Sequence, residues 1–158
     1  METVTDAALA DTLRAAGLKV TEPRVAVLSA LTDIPHSDAD TIFGAVLPSL
    51  PSTSLQAVYG VLAALTTAGL LRKIEPAGSS ALYERRIGDN HHHLVCTECG
   101  AVRDVDCVVG HAPCLTPSEA GGFTVHTAEV NFWGLCPDCQ EQATSSAHTS
   151  STHTKETS

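Results

Sequence analysis

Two pairs of cysteines constrain this chain more than any other feature: Cys96-Thr-Glu-Cys99 and Cys136-Pro-Asp-Cys139. A gap of two residues lets both thiolates of a pair face one ion, and two such pairs complete a tetrahedron. A closed site of four thiolates leaves no position for a substrate, so the spacing predicts a structural zinc ion. The alternative is a thioredoxin-like redox pair in the second motif.

The composition limits the class of protein. A chain of 158 residues allows one domain or two small ones. We expect a soluble cytoplasmic protein without a membrane segment, because no apolar run is long enough to span a bilayer and the N-terminal residues do not resemble a secretory signal. The net charge of −9 excludes a uniformly basic coat for nucleic acid. Residues 41–74, however, contain no acidic side chain, so a polyanion would meet little repulsion there.

The first half of the chain predicts four helices followed by a β-hairpin. Apolar spacing and capping residues predict a first helix that contains Leu9 and Leu13 and ends at Gly17. The other three follow a cap at Thr21, span residues 38–47, and follow a cap at Thr53 or Ser54. Two short strands at residues 70–74 and 81–86 flank a turn-rich loop. This order is typical of a winged helix, in which one helix enters the major groove of DNA. The alternative is a small helical domain with a surface hairpin.

The second half predicts short strands at residues 94–96, 102–105 and 123–132. Residues 143–158 are mostly serine and threonine, and we expect them to form a disordered tail. The fold class is therefore α+β: a winged-helix domain and hinge at residues 1–87, a small α/β domain with the four cysteines at residues 88–142, and the tail. The chain has none of the common hydrolase, nucleotide or deaminase signatures, so we do not expect an enzyme.

Three consecutive histidines precede the first cysteine pair. On a strand, His91 and His93 point to one face and His92 to the other. If the fold brings Glu84 and Asp104 beside His91 and His93, the site has mixed imidazole and carboxylate ligands. Such ligands suit iron(II), manganese or zinc.

Several stretches, taken in order, resemble the ferric uptake regulator (Fur) family. They are Leu18-Lys-Val-Thr-Glu-Pro-Arg24, His36-Ser-Asp-Ala39, Ser54-Leu-Gln-Ala-Val-Tyr59, His91-His-His-Leu-Val-Cys96-x-x-Cys99-Gly100 and Gly134-Leu-Cys136-x-x-Cys139. Finer details, such as Phe132-Trp-Gly-Leu-Cys136, are similar to the actinobacterial FurA-like branch, which regulates catalase-peroxidase genes.

The resemblance implies a homodimeric, metal-activated repressor that binds a double-stranded DNA operator, with the small α/β domain as its dimerisation domain. It also implies a regulatory site for iron(II) or manganese(II) with ligands from both domains. The matching positions are His36, Glu84, His91, His93 and Asp104. In peroxide-sensing members, bound iron(II) reacts with peroxide and oxidises a ligand histidine, which matches His36 or His91 here, and Asp104 favours this type. Some members have a further site, to which His92 and His126 correspond.

The resemblance also places the DNA contacts. Base reading is expected from Ser54, Gln56 and Tyr59, and phosphate contacts from Lys19, Arg24, Arg72 and Lys73. Gly60 stands where many family members carry a polar or basic side chain, so the recognition helix loses one contact and some helix propensity.

Some residues fit more than one function. Cys107 and Cys114 do not fit the zinc tetrahedron, and they are either a redox-active pair or small buried residues. A plain iron, zinc or nickel sensor would use the same regulatory residues. Two further alternatives belong to other classes of protein. One is a thiol redox protein that uses the cysteine pairs, and the other is a zinc-stabilised interaction module.

Overall fold

The computed structural model describes residues 5–85, 91–106, 119–125 and 129–148. The chain divides into two compact units, Met1–Asp89 and Asn90–Ser158, beside the boundary predicted after residue 87. The first unit contains α1 (Asp6–Ala15), α2 (Glu22–Asp33), α3 (Ala39–Val46), α4 (Leu55–Thr67), β1 (Arg72–Ile74) and β2 (Leu82–Glu84). The second contains β3 (His91–Cys96), β4 (Val102–Asp106), β5 (Asn131–Gly134) and α5 (Pro137–His148).

Side-chain caps begin three of the first four helices. The oxygens of Thr5, Asp38 and Ser54 accept hydrogen bonds from backbone amides in the first turns of α1, α3 and α4. Ser54 rather than Thr53 is therefore the cap of α4. Thr21 is the N-cap residue of α2, as predicted, but its side chain makes no capping bond. Pro23 in the first turn of α2 needs no amide partner there, so the helix begins without that bond.

An aliphatic cluster fills the first unit. In α4, the buried side chains are Val58, Leu62 and Leu65, which recur at helical spacing on one face. They pack in one cluster with leucines of α1 and α2 and with Ile42 of α3. Each fully buried side chain of this size contributes about 1.5–3 kcal/mol. None of the helices in the described residues is long and apolar enough to cross a membrane.

Strands β1 and β2 form an antiparallel hairpin after α4, with Arg72 opposite Glu84 and Ile74 opposite Leu82. Each strand is shorter than predicted, and the loop between them is correspondingly longer. Four helices followed by this hairpin make the first unit a winged helix, as predicted.

Within the part of the chain that the structure describes, the second unit is built on a three-stranded sheet in the order β4-β3-β5. Strand β3 lies in the centre, antiparallel to β4 and parallel to β5. The first histidine already belongs to β3, three residues before the predicted start at residue 94. All three histidines therefore lie on the central strand.

The predicted strand at residues 123–132 is wrong for most of its described part. Gly121 and Gly122 have positive φ angles of 54° and 84° and form a turn that leads to Phe123, which is 82% exposed. Pairing with β3 starts only at Asn131. A strand needs a neighbour in register, and the local sequence does not specify one.

The predicted disordered tail is also wrong at its start, because α5 continues to His148. The helix begins where the Cys136 carbonyl accepts a bond from the Gln140 amide at 3.0 Å. Further along, the hydroxyls of Thr144 and Ser145 donate to carbonyls of the preceding turn, so these donors are satisfied within the helix. A helix that is already started extends through residues whose own propensity is modest. The rest of the predicted tail lies outside the described residues.

Candidate metal centres and nucleic-acid interface

The four cysteines of the two pairs converge at one end of the second unit. Their sulfur atoms all lie within 4.8 Å of one another, and none is in a disulfide. Cys99 Sγ and Cys136 Sγ are 3.7 Å apart. Zinc–sulfur bonds of about 2.3 Å in a tetrahedron require sulfur separations of about 3.8 Å. The residues therefore fit a structural zinc ion, as the spacing predicted.

The backbone at the first pair forms the turn that aims both sulfurs inward. The Cys96 amide donates to the Ala101 carbonyl at 2.9 Å, and the Gly100 amide donates to the Cys96 carbonyl at 3.0 Å. Gly100 has a φ of 73°, which a residue without a side chain adopts at little cost. The Thr97 amide donates to the Gly134 carbonyl at 2.8 Å and so joins this turn to the second pair.

Without a cation, the thiols of the cysteine cluster differ widely in pKa. Backbone amides, first that of Cys99 and then that of Cys136, lower the pKa of Cys96 to about 6. The neighbouring thiol of Cys136 raises the pKa of Cys139 to about 12. Four thiolates in one place need a compensating charge, and a divalent ion supplies it because its ligands are thiolates.

A second group of ligands, in the first unit, pairs His36 with Glu84. His36 adopts a left-handed conformation with a φ of 57°, which is uncommon for a residue with a side chain. The next residue, Ser37, accepts a hydrogen bond at 2.9 Å from the amide of Tyr83 on β2. This bridge brings His36 Nε2 to 2.9 Å from Glu84 Oε2. The two side chains are 8% and 1% exposed, so water screens the pair little.

Two arginines flank Glu84. Arg72 Nη1 lies 3.7 Å from Glu84 Oε1 across the hairpin. Arg85 donates to the Thr32 hydroxyl and to the Leu28 carbonyl and so fixes the end of β2 to α2. Burial lowers the pKa of Arg85. Sequence reasoning missed the role of Arg85, whose only signal is its place next to Glu84.

The third group of ligands lies on β3 and β4. His93 and Asp104 are directly opposite in the antiparallel pair, so their side chains share a face with His91. Asp104 Oδ1 is 3.6 Å from His93 Nε2 and 3.8 Å from His91 Nε2. The two imidazole rings meet edge to face with their centres 5.0 Å apart. The three side chains therefore present two imidazoles and a carboxylate to one small space.

His92 points to the other face of the sheet, as strand alternation requires. Its ring lies 5.9 Å from that of Phe132 on β5, and it is 7% exposed. His126, the predicted partner in a further site, lies outside the described residues. So do Cys107 and Cys114, and their predicted redox role stays a prediction.

Helix α4 exposes the face that was predicted to read DNA. Gln56, Tyr59 and Gly60 are exposed on the side opposite the buried stripe, and Tyr59 is 45% exposed. Ser54 Oγ accepts the capping bond from the Ala57 amide at 3.2 Å, which leaves its hydroxyl hydrogen available to donate to a phosphate. Helix α4 carries no charged residue of either sign.

The predicted phosphate contacts differ in their surroundings. Lys19 is exposed, and the Arg24 guanidinium donates to its carbonyl at 2.6 Å. Lys73 lies 2.8 Å from Glu75 in the hairpin, and this acidic neighbour raises its pKa. Arg72 faces Glu84 instead of solvent, at 21% exposure. Arg72 thus has a partner that the sequence patterns did not indicate.

Comparison with known proteins places the chain in a family. The Ferric uptake regulator family matches residues 15–132. The chain belongs to this family. The transcriptional regulator FurA of Mycobacterium tuberculosis is 61% identical over 139 residues, which are 88% of this chain and 95% of that protein. The motif resemblance is therefore confirmed.

Solved structures of the family have the same fold. The ferric uptake regulator of Vibrio cholerae is 26% identical, with a TM-score of 0.66 over 80% of this chain and 98% of that one. The peroxide stress regulator of Campylobacter jejuni is 25% identical, with a TM-score of 0.63 over 88% of this chain and 100% of that one. Family membership makes the chain a metal-responsive transcriptional regulator and argues against an enzymatic role.

Proposed function

We propose that this Fur-family protein is a homodimeric repressor that binds its operator when iron(II) is bound and releases it when peroxide oxidises the protein. Its targets would be oxidative-stress genes, catalase-peroxidase genes and its own gene among them, as the motif resemblance implies. His36 and Glu84 of the first unit and His91, His93 and Asp104 of the second would bind one regulatory ion together. Zinc at the four cysteines would have a structural role only.

The observation that carries the metal-sensing part is the group formed by His91, His93 and Asp104. Two buried imidazoles and a carboxylate within 4 Å are suitable ligands for iron(II) or manganese(II). Neither this group nor the pair of His36 and Glu84 offers a full octahedral set. An ion that takes ligands from both stabilises only the arrangement in which the two units meet, and so shifts the population to that state.

The DNA-binding part rests on α4. Its exposed face offers hydrogen-bonding groups at Gln56 and Tyr59, and its N-terminus offers Ser54 and free backbone amides to a phosphate. With few cations in the unit, we infer that electrostatic attraction contributes modestly and that the salt dependence per protomer is shallow.

Homodimer formation is supported by the surface of the second unit. Phe132, Trp133 and Leu135 are each more than 40% exposed, on or just after β5, which is an edge strand among the described residues. An exposed edge with large apolar side chains is typical of an interaction surface.

The test is anaerobic binding to the DNA upstream of its own gene, with either iron(II) or manganese(II), before and after stoichiometric peroxide. We expect the iron form to release the DNA and a peptide with His36 or His91 to gain one oxygen atom. The manganese form should stay bound, because manganese(II) does not support this oxidation. DNA binding is followed by fluorescence anisotropy and the added oxygen by mass spectrometry.

A plain metal sensor is the second candidate, favoured by the match to the Vibrio cholerae regulator. It predicts that both metal forms keep their DNA after peroxide. That result would remove the peroxide-sensing part of the proposal and leave the metal-sensing part.

Adding a cation to the reading face tests the role of α4. An ideal Cβ at Gly60 meets no atom within 4 Å, and the same holds for Gly44 on α3. Gly60→Lys should tighten DNA binding and steepen the slope of log affinity against log salt by about one per protomer. Gly44→Lys gains the same charge and similar helix propensity, and should change the slope less. Equal slopes in the two variants would argue against α4 as the reading helix.

A further inference from the structure

The carboxylate of Glu84 is shared between two cationic or potentially cationic partners. His36 Nε2 is 2.9 Å from one oxygen, and Arg72 Nη1 is 3.7 Å from the other. Both partners belong to the same unit, and the register of the hairpin places Arg72 directly opposite Glu84. The sequence motifs assigned Arg72 to DNA and did not indicate its pairing with Glu84.

The two contacts differ in strength. The distance to His36 is that of a hydrogen bond, whereas 3.7 Å lies beyond the normal range for nitrogen and oxygen. The Arg72 contact is therefore an ion pair without a hydrogen bond, and it is the easier one to exchange. The positive charge of Arg72 still attracts the carboxylate strongly, because Glu84 is 1% exposed and water screens the charges little.

We propose that Arg72 competes with the regulatory ion for Glu84 and so raises the metal concentration at which the protein switches. This inference rests on the proposed function, in which Glu84 is a metal ligand. A divalent ion that binds this carboxylate replaces the attraction to Arg72 and meets the repulsion of its guanidinium. In the metal-free protein, Arg72 instead compensates the buried negative charge.

Arginine suits this task because it stays protonated at all physiological pH values. A histidine in its place would lose its charge near neutrality, and the threshold would then depend on pH. The charge of Arg72 does not change over this range, so its competition for Glu84 is the same at every physiological pH.

The experiment measures binding of manganese(II) to the zinc-loaded, full-length protein at about pH 8, with all variants compared at the same pH. The paramagnetic resonance signal of free manganese(II) gives the dissociation constant without any DNA. Arg72→Gln should bind the ion roughly tenfold to a hundredfold more tightly than the unmodified chain. Arg72→Lys keeps the charge and should stay within about threefold of it.

Arg14→Gln is the matched control. Arg14 forms an exposed pair with Asp11 on α1, so the substitution removes the same charge and breaks an ion pair away from Glu84. Its manganese affinity should be unchanged. An equal gain in both variants would mean that net charge alone is responsible, and would overturn the proposal.

A double variant separates the competition from a change in folding. In a Glu84→Gln background, Arg72→Gln should no longer tighten manganese binding, because the shared carboxylate is gone. Persistence of the gain would overturn the proposal, as would an Arg72→Gln affinity equal to or weaker than that of the unmodified chain. If the unmodified chain bound no manganese, the regulatory site itself would fall. If Glu84→Gln bound manganese equally well, Glu84 would not be a ligand of the ion; both results are distinct from failure of the competition.

Discussion

Replacing Cys96 by serine is expected to unfold the second unit and leave the first folded. Among the described residues of the second unit, only Val95 and Cys96 are buried and apolar. Two buried apolar side chains contribute little to the stability of a sheet. Structural zinc contributes about 10–16 kcal/mol in zinc-finger peptides, as much as the whole stability of many domains at about 5–15 kcal/mol. The first unit has its own aliphatic cluster and does not depend on the ion.

Trp133 makes this result easy to measure. It is the one tryptophan of the chain and lies on β5 beside the second cysteine pair. Its fluorescence therefore reports the second unit, while circular dichroism reports mainly the helices of the first. We expect the Cys96→Ser protein to contain no zinc and to lack the Trp133 unfolding transition, with most helical signal retained.

Cys107→Ser and Cys114→Ser are the controls, because each removes a thiol that lies outside the two motifs Cys96–Cys99 and Cys136–Cys139. Both should retain zinc and the Trp133 transition. Retention of zinc by Cys96→Ser, or an unchanged transition, would contradict a structural role for the four-cysteine cluster. Catalytic disulfide turnover by a zinc-free protein would instead support the thiol redox alternative.

The sequence predicted those parts of the fold that depend on local patterns. Helix α4 follows from the spacing of Val58, Leu62 and Leu65 together with a serine cap, and both are visible in the chain. The prediction of a strand over residues 123–132 failed over most of its described part, because the local sequence does not say which strand is the neighbour. The prediction of a disordered tail failed at residues 143–148, where α5 continues. This continuation depends on a helix that starts beside the cysteine cluster and not on local composition.

In the candidate site, too, local patterns were predictable from the sequence and contacts between segments were not. The spacing of the cysteines was sufficient for the zinc cluster, since two residues fix the geometry of each pair. The contact between Asp104 and His93 depends on strand register, which the sequence leaves open. The left-handed turn at His36 and the approach of Arg72 to Glu84 have no sequence pattern at all, because they arise from the pairing of distant segments.

Replacing Glu84 by glutamine is expected to abolish metal-dependent DNA binding while zinc stays in place. Glutamine keeps the shape of the side chain and can still hydrogen-bond to His36, but it lacks the charge that an ion needs from a buried ligand. Loss of a residue in the outer shell of a metal site costs about 10–100-fold in affinity, so loss of a direct ligand should cost at least about 100-fold. Operator affinity should fall to that of the metal-free protein.

Glu75→Gln is a close control for this prediction. Glu75 lies in the same hairpin and pairs with Lys73 at the surface, so its substitution removes the same charge from the same segment. It should leave the manganese affinity unchanged and zinc content at the level of the unmodified chain. If Glu84→Gln kept metal-dependent operator binding, Glu84 would be a structural partner of His36 and Arg72 and not a ligand. The regulatory ion would then have to be bound by the group on β3 and β4, and His93→Ala would be the substitution that abolishes the response.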